Sequence, residues 1–170
     1  MKKTLWMTQT AVLTALLVLL QTLTKAGGQF VTGSCVNAVL AIAVLFAGVW
    51  SGVTVAVISP FLAFLLGIGP QLLPIVPAIA VGNTVYVLLL HFLSGKQLWR
   101  QGAGWLCAAV CKFLTLNLIV VQLLCRVLPL PEKQAATFAA MFSLPQLVTA
   151  LIGGGIALLI VPILRKAFRR

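Results

Sequence analysis

Long apolar runs, separated by short stretches rich in polar residues, glycine and proline, dominate the hydrophobic pattern of this chain. A helix needs about 20 mostly apolar residues to cross the hydrocarbon core of a membrane, so runs of this length predict membrane-spanning helices. Six spans are predicted. They cover residues 5–23, two parts of 35–66, and residues 74–93, 102–128 and 134–164.

The continuous run 35–66 decides the number of spans. As a single helix it would be about 48 Å long at about 1.5 Å per residue, whereas the hydrocarbon core is about 30 Å thick. Two short spans that turn at Trp50 to Gly52 fit the membrane better. The run by itself permits either arrangement, and the distribution of charge separates them.

Basic residues mark the cytoplasmic side of a membrane protein. Six spans with a cytoplasmic N-terminus place eight basic residues at inner ends and three at outer ends, whereas five spans leave four inside and seven outside. The inner residues are Lys2, Lys3, Lys96, Arg100, Arg165, Lys166, Arg169 and Arg170, and the outer ones are Lys25, Arg126 and Lys133. The sequence therefore predicts six transmembrane helices with the N and C termini cytoplasmic.

The composition also indicates a membrane protein. Hydrophobic residues make up 62% of the chain and charged residues 8%, with a mean hydropathy of +1.17, whereas soluble proteins carry about 25% charged residues. We expect an all-α integral membrane protein with one transmembrane domain, residues 1–170. The net charge is +11, and the basic residues that produce it mostly lie beside apolar runs. This position favours contact with anionic membrane lipids over binding of nucleic acid.

Proline and glycine predict irregular helices. Pro60 falls inside the third predicted span and Pro145 inside the sixth, where the missing N–H frees a backbone carbonyl that neighbouring groups must satisfy. The sixth span is too long for a straight perpendicular helix, so we expect a kink at Pro145 or a steep tilt. Glycines at 153–155 permit a close approach between helices.

Lys112 lies deep in the fifth predicted span, where a lysine costs about 2.5–3.5 kcal/mol on insertion scales. At about 100° per residue, Lys112 shares one polar stripe with Trp105, Thr115, Gln122 and Arg126. Such a stripe should face protein or water, and it suits a substrate cavity open to the outside. The alternative is a structural lysine that packs against backbone carbonyls or reaches up to water.

Two further spans offer polar side chains in the membrane. Asn83 and Tyr86 lie three residues apart in the fourth span, and Gln146 and Thr149 lie three apart in the sixth, so each pair occupies neighbouring faces of its helix. They either hydrogen-bond a ligand or bridge helices for about 0.6 kcal/mol each. The predicted substrate-binding residues are Asn83, Tyr86, Lys112, Thr115, Gln122, Gln146 and Thr149.

Catalytic chemistry is not expected. The chain has no Asp and one Glu, Glu132 in a predicted outer loop, which excludes a carboxylate pair and a Ser-His-Asp triad. Cys107 and Cys111 share a helical face, but a zinc site needs further ligands, and the single histidine, His91, lies near the cytoplasmic end of its span. No phosphate-binding glycine loop occurs either, so the chain is not expected to bind ATP itself. Together these features lead us to expect no enzyme activity, metal or cofactor. Uphill transport would need energy from a partner.

Two segments carry a resemblance to a known family. In TAVLTALL (10–17), Ala11 and Ala15 form an A-x-x-x-A pattern on the first span, and PAIAVGNTVYVLLL (77–90) is similar to the fourth helix of several members. With six short helices and no energy source of its own, the whole chain resembles the substrate-binding S component of an energy-coupling factor (ECF) vitamin transporter.

The resemblance implies a location, partners and a site. An S component would lie in the plasma membrane of a prokaryotic cell, with Ala11 and Ala15 against a transmembrane T component that binds two cytoplasmic ATPases. Substrate would bind in the outer half, under the first exterior loop, residues 25–34. Lys112 then favours an anionic vitamin of a pantothenate-like, nicotinate-like or folate-like kind. The alternatives are a passive facilitator or channel and a non-transport subunit of a membrane complex.

Overall fold

The computed structural model describes residues 2–95 and 97–168, which are helical apart from short connections. The α-helices are α1 (Lys2–Thr24), α2 (Gly28–Ile42), α3 (Val49–Leu65), α4 (Ile75–Leu93), α5 (Leu98–Leu116), α6 (Cys125–Val127), α7 (Glu132–Met141) and α8 (Leu144–Ala167). The described residues contain no β-strand. The prediction of an all-α protein is therefore confirmed.

Four helical segments among the described residues are long and apolar enough to cross a membrane. They are Thr4–Ala47, Ile75–Leu93, Trp99–Val127 and Glu132–Ala167, and α3 is a shorter apolar helix. These segments are typical of a multi-pass membrane protein. The count of six spans and their orientation stay predictions. Lys96, Arg169 and Arg170, on which the orientation partly depends, lie outside the described residues.

The apolar run 35–66 is divided into two helices, two residues before the predicted turn. After α2 the chain continues as a π-helical turn, Ala43–Ala47, which ends at Gly48 with a φ of 102°. Glycine adopts such a φ without steric cost, and this decides where the chain turns. Trp50 to Gly52 belong instead to the first turn of α3. Arg165 Nη2 donates a 2.6 Å hydrogen bond to the carbonyl oxygen of Leu45 beside the break.

The sixth predicted span consists of two helices rather than one kinked helix. Helices α7 and α8 are separated at Phe142 and Ser143, and Pro145 lies in the first turn of α8. The missing N–H of a proline is harmless there, because the first turn leaves its N–H groups unpaired in any case. The prediction of a kink at Pro145 inside a span was therefore wrong. Pro60 does lie inside α3.

The expected exterior loop 25–34 is largely helical, so this prediction was also wrong. A 3₁₀ turn, Lys25–Gly27, is all that separates α1 from α2. Thr32 Oγ1 donates a 2.8 Å hydrogen bond to the carbonyl oxygen of Thr24, which ties the start of α2 to the end of α1. The longer connection at this end is 66–74, where Gly67 and Gly69 have positive φ.

Helices α2 and α8 pack closely at Gly153. A Cβ at this position would lie 2.5 Å from the carbonyl oxygen of Ser34 and 2.6 Å from the backbone nitrogen of Ala38. Only glycine therefore permits this approach, and the packing role predicted for the glycines is confirmed here. The surrounding buried core includes Leu17, Leu40, Val55, Val87, Ala108 and Ala157.

Candidate functional site

A cavity of about 230 Å³ lies in the half of the bundle where α1 and α3 end and α2 and α4 begin. Its wall combines apolar side chains with polar ones from several helices. The polar lining residues are Gln21, Lys25, Gln29, Thr32, Asn37, Ser59, Asn83, Lys112 and Gln146. Polar groups around an apolar-walled cavity are typical of a site that binds and orients a small molecule.

Lys112 on α5 is held in the wall by two neutral amides. The side chain is only 2% exposed, and its Nζ donates to Oδ1 of Asn37 at 2.5 Å and to Oδ1 of Asn83 at 2.7 Å. The same Nζ lies 5.4 Å from the centroid of the Tyr86 ring, which adds a cation–π attraction. Hydrogen bonds within the described part of the chain thus account for two of the three N–H donors of a lysine ammonium.

The acceptors around Lys112 carry no charge. Glu132, the one acidic residue of the sequence, is exposed in the first turn of α7. Amide oxygens stabilise the ammonium by hydrogen bonding without neutralising it. No carboxylate of the described residues therefore neutralises Lys112 at the cavity wall.

A second layer of hydrogen bonds orients Asn37. Its Nδ2 donates to the carbonyl oxygen of Gly33 at 2.9 Å and to Oγ1 of Thr149 at 3.2 Å. With the amide nitrogen engaged in this way, the amide oxygen points to Lys112. Thr149, which is fully buried on α8, thus links α8 to the lysine through Asn37.

Tyr86 on α4 and Trp105 on α5 also contact α8. The Tyr86 hydroxyl donates to the carbonyl oxygen of Ala150 at 3.1 Å, and Trp105 Nε1 donates to the same oxygen at 3.4 Å. Tyr86 is completely buried and does not belong to the residues that line the cavity. Its ring supports Lys112 from behind.

The structure brings three of the predicted substrate-binding residues to the cavity wall, Lys112, Asn83 and Gln146. Gln146 Nε2 donates to the carbonyl oxygen of Met141 at 3.3 Å across the break between α7 and α8. Tyr86 and Thr149 lie in the layer just behind the wall. That any of these residues contacts substrate stays a prediction.

Thr115 and Gln122 do not line the cavity, so the predicted polar stripe does not form along the whole span. Thr115 Oγ1 donates to the carbonyl oxygen of Cys111 on its own helix at 2.8 Å. Between Asn117 and Leu124 the chain is π-helical, and i→i+5 bonding turns side chains through a smaller angle per residue than an α-helix does. Extrapolation at 100° per residue therefore fails beyond Leu116, and Gln122 is exposed.

Six polar residues of the cavity wall were not among the predicted substrate-binding residues. Lys25, Gln29 and Thr32 fall in the segment 25–34 that was expected to cover the site, whereas Gln21, Asn37 and Ser59 were not predicted at all. Asn37 had a sequence signal, because it is the single side-chain amide in the apolar run 35–66. No feature of the sequence distinguishes Gln21 and Ser59 from other polar residues of the apolar helices. Their position is set by how α1 and α3 pack together.

A shallow apolar groove runs along the outer surface of α1 and α3. Ala11 and Ala15 are exposed in its floor. The groove is also lined by Trp6, Met7, Thr10, Thr14, Val18, Leu19, Thr22, Thr54, Ile58 and Leu62. Small residues at this spacing let another helix approach closely.

The described residues contain no group of three or more His, Cys, Asp or Glu side chains that could hold a metal ion. Cys107 Sγ and Cys111 Sγ lie 4.0 Å apart on one face of α5. Cys107 is exposed on the surface of the bundle. Neither cysteine lines the cavity.

An apolar helical bundle with a partly polar cavity between its helices is typical of a membrane protein with an internal binding site. The model of the family "ECF transporter, substrate-specific component" matches residues 6–165. The chain therefore belongs to this family, whose members are substrate-binding subunits of transporters and not enzymes. Neither the curated proteins nor the solved structures contain a match to the chain.

Proposed function

We propose that this chain is the high-affinity binding subunit for uptake of a small, anionic, water-soluble vitamin or related micronutrient, and that Lys112 binds the anionic group. The observation that carries the proposal is the lysine itself. It is buried at the cavity wall, it donates to two neutral amides, and one of its N–H donors is left for a ligand. A carboxylate or phosphate of the ligand would accept from this remaining N–H in a charge-assisted hydrogen bond.

The charge of the rest of the cavity supports an anionic substrate. Lys25 is a second cation in the lining, and no acidic residue is among the described lining residues. Lys25 Nζ donates to the carbonyl oxygen of Gly67 at 2.8 Å, which holds the end of α1 against the connection 66–74. A cation such as thiamine would meet two like charges and no counter-ion.

The size of the cavity supports a small substrate. A volume of about 230 Å³ lies below the range of about 300–1,000 Å³ that drug-sized sites usually have. This volume favours a short-chain or single-ring acid, pantothenate-like or nicotinate-like. A folate-like molecule, with a pteridine, an aminobenzoyl and a glutamate unit, is larger than either and fits this volume less well.

Membership in the family supports the further parts of the proposal. The chain would have six spans and cytoplasmic termini in a prokaryotic plasma membrane, so that the cavity lies in the outer half. Ala11 and Ala15 would contact a transmembrane T component, and two cytoplasmic ATPases would supply the energy. Residues 1–170 would form one substrate-binding domain, surrounded by membrane lipids.

Substitution of Lys112 tests the proposal directly. Lys112→Met keeps an unbranched side chain, one atom shorter, and removes its charge, and we expect the Kd of the anionic ligand to rise at least about 30-fold, equivalent to about 2 kcal/mol. Binding is measured by native mass spectrometry and calorimetry on the detergent-purified protein, with a panel of vitamins.

Lys133→Met is the matched control, because Lys133 is exposed on α7 and lies outside the cavity. It removes the same charge from the chain and should leave the Kd unchanged. Thermal melting of both variants separates a loss of the site from a loss of the fold. If folded Lys112→Met binds the anion as tightly as the wild type, the lysine is structural and the proposal is wrong.

A further inference from the structure

Two buried polar atoms in the cavity wall have no hydrogen-bond partner within the described part of the chain. They are Oε1 of Gln21 and Oγ of Ser59, and both residues line the cavity. Gln21 is 7% exposed and Ser59 only 1%, so bulk water does not reach them freely. A buried polar group without a partner is costly, and such groups are rare unless something else binds them.

The two atoms come from helices other than the one that carries Lys112. Gln21 is on α1 and Ser59 on α3, and these helices pack on each other, whereas α5 packs on α4 and α8. All three residues line the same cavity. A ligand that pairs with Lys112 and with Gln21 or Ser59 must carry a second polar group besides its anionic group.

The chemistry of the two atoms defines the second group. The amide oxygen of Gln21 can only accept a hydrogen bond, and the serine hydroxyl can accept or donate. A hydrogen-bond donor on the ligand satisfies either atom, whereas a carboxylate or an aromatic face satisfies neither Gln21 Oε1 nor the acceptor positions of Ser59.

We propose that Gln21 and Ser59 are specificity-determining residues that select substrates with an O–H or N–H donor besides the anionic group. The inference rests on the proposed function, since Lys112 supplies the anion site. It narrows the substrate class to small hydroxy, amino or amide acids. Acids that offer no donor leave Gln21 Oε1 unpaired, and such a loss is discriminated strongly in sites built for hydrogen bonding.

The test compares two probes on the purified full chain. Pantothenate carries hydroxyls and an amide N–H besides its carboxylate, and nicotinate carries a carboxylate and a ring nitrogen, which accept hydrogen bonds, but no donor. The wild type should bind pantothenate at least about tenfold more tightly than nicotinate. Gln21→Met and Ser59→Ala should each raise the Kd of pantothenate about tenfold, equivalent to about 1.4 kcal/mol, and Gln21→Met should leave the Kd of nicotinate unchanged.

Ser34→Ala is the matched control for Ser59→Ala. Ser34 is also buried, but its hydroxyl donates to the carbonyl oxygen of Phe30 at 2.6 Å and it does not line the cavity. This variant should bind both probes as the wild type does.

The outcomes separate this inference from the proposed function. One contrary outcome is that both probes bind equally and that their binding depends on Lys112. Another is that Gln21→Met and Ser59→Ala weaken the binding of both probes equally. In either case the anion site stands and the selection by Gln21 and Ser59 is refuted. If neither probe nor any other acid of the vitamin panel binds, the proposed function fails and this inference fails with it.

Discussion

Lys112 is stabilised in an apolar bundle by oxygen atoms that carry no formal charge. Asn37 and Asn83 accept its hydrogen bonds, and Tyr86 presents its ring to the ammonium. A carboxylate at either position would form an ion pair and cancel the charge that a ligand could use. Neutral acceptors are therefore what a cavity for anions requires, because they hold the lysine in place and leave its field available.

Asn83→Asp tests whether the neutral acceptors of Lys112 matter for binding of an anion. The substitution keeps the shape of the side chain and its acceptor for Lys112 but adds a negative charge at the cavity wall. Because like charges in a desolvated site cost several kcal/mol, we expect the Kd of an anionic ligand to rise about tenfold or more while the melting temperature stays the same or rises.

Gln134→Glu controls for the change in net charge, since Gln134 lies on α7 and does not line the cavity. Calorimetric titration of both variants measures the effect. Unchanged affinity in Asn83→Asp would show that the ligand does not approach Lys112.

At the scale of helices, departures from regular α-helix position the cavity. The π-helical segment after α5 turns Gln122 away from the cavity, and the break at Phe142 and Ser143 brings Gln146 to its wall. Close packing of α2 on α8 at Gly153 sets where Asn37 meets Thr149. The positions of Gln146 and Asn37 in the site thus depend on backbone features of α8.

Gly153→Ala should destabilise the protein. The added Cβ would overlap backbone atoms of α2 at about 2.5 Å, and such overpacking typically costs about 1–3 kcal/mol. Because the strain falls beside Asn37, ligand affinity should fall as well. The melting temperature and the Kd measure the two effects.

Gly155→Ala is the matched control on the same helix. Its Cβ would lie 3.5 Å from Cζ2 of Trp105, an ordinary contact, and alanine favours a helix by up to about 1 kcal/mol over glycine. This variant should be as stable as the wild type or more so. Equal destabilisation by both substitutions would contradict the close packing of α2 on α8.

At the scale of the whole molecule, the cavity and the outer groove occupy different surfaces of the bundle. The cavity lies between helices, and the groove with Ala11 and Ala15 lies on the exposed face of α1 and α3. Exposed apolar surface faces lipid in a membrane, but a groove floored by alanines also admits a partner helix. The proposed transporter therefore separates substrate binding from partner binding.

Ala11→Leu combined with Ala15→Leu should separate the two activities. Bulky side chains fill the groove, so we expect the amount of T component that copurifies with the chain to fall at least about tenfold, while the Kd of the ligand stays unchanged. Quantitative copurification from cells that co-express the T component and the ATPases measures the first effect.

Val12→Leu is the control, because Val12 is exposed on α1 but does not line the groove. It should copurify with the same partners as the wild type. If the double variant copurifies normally, the partner contacts another surface.

The sequence alone determined the class of this protein, because long apolar runs and scarce charges permit only a helical membrane protein. It also singled out Lys112, Asn83 and Gln146, since polar residues inside apolar runs are conspicuous. Tertiary structure alone decided which side chains meet. Asn37 joins Lys112 from 75 positions away, and Gln21 and Ser59 reach the same cavity only through packing of their helices. Local signals predict an element, and Gly48 fixes where the chain turns after α2. The π-helical segment and the break before α8 instead depend on contacts between elements, which periodicity along one helix does not record.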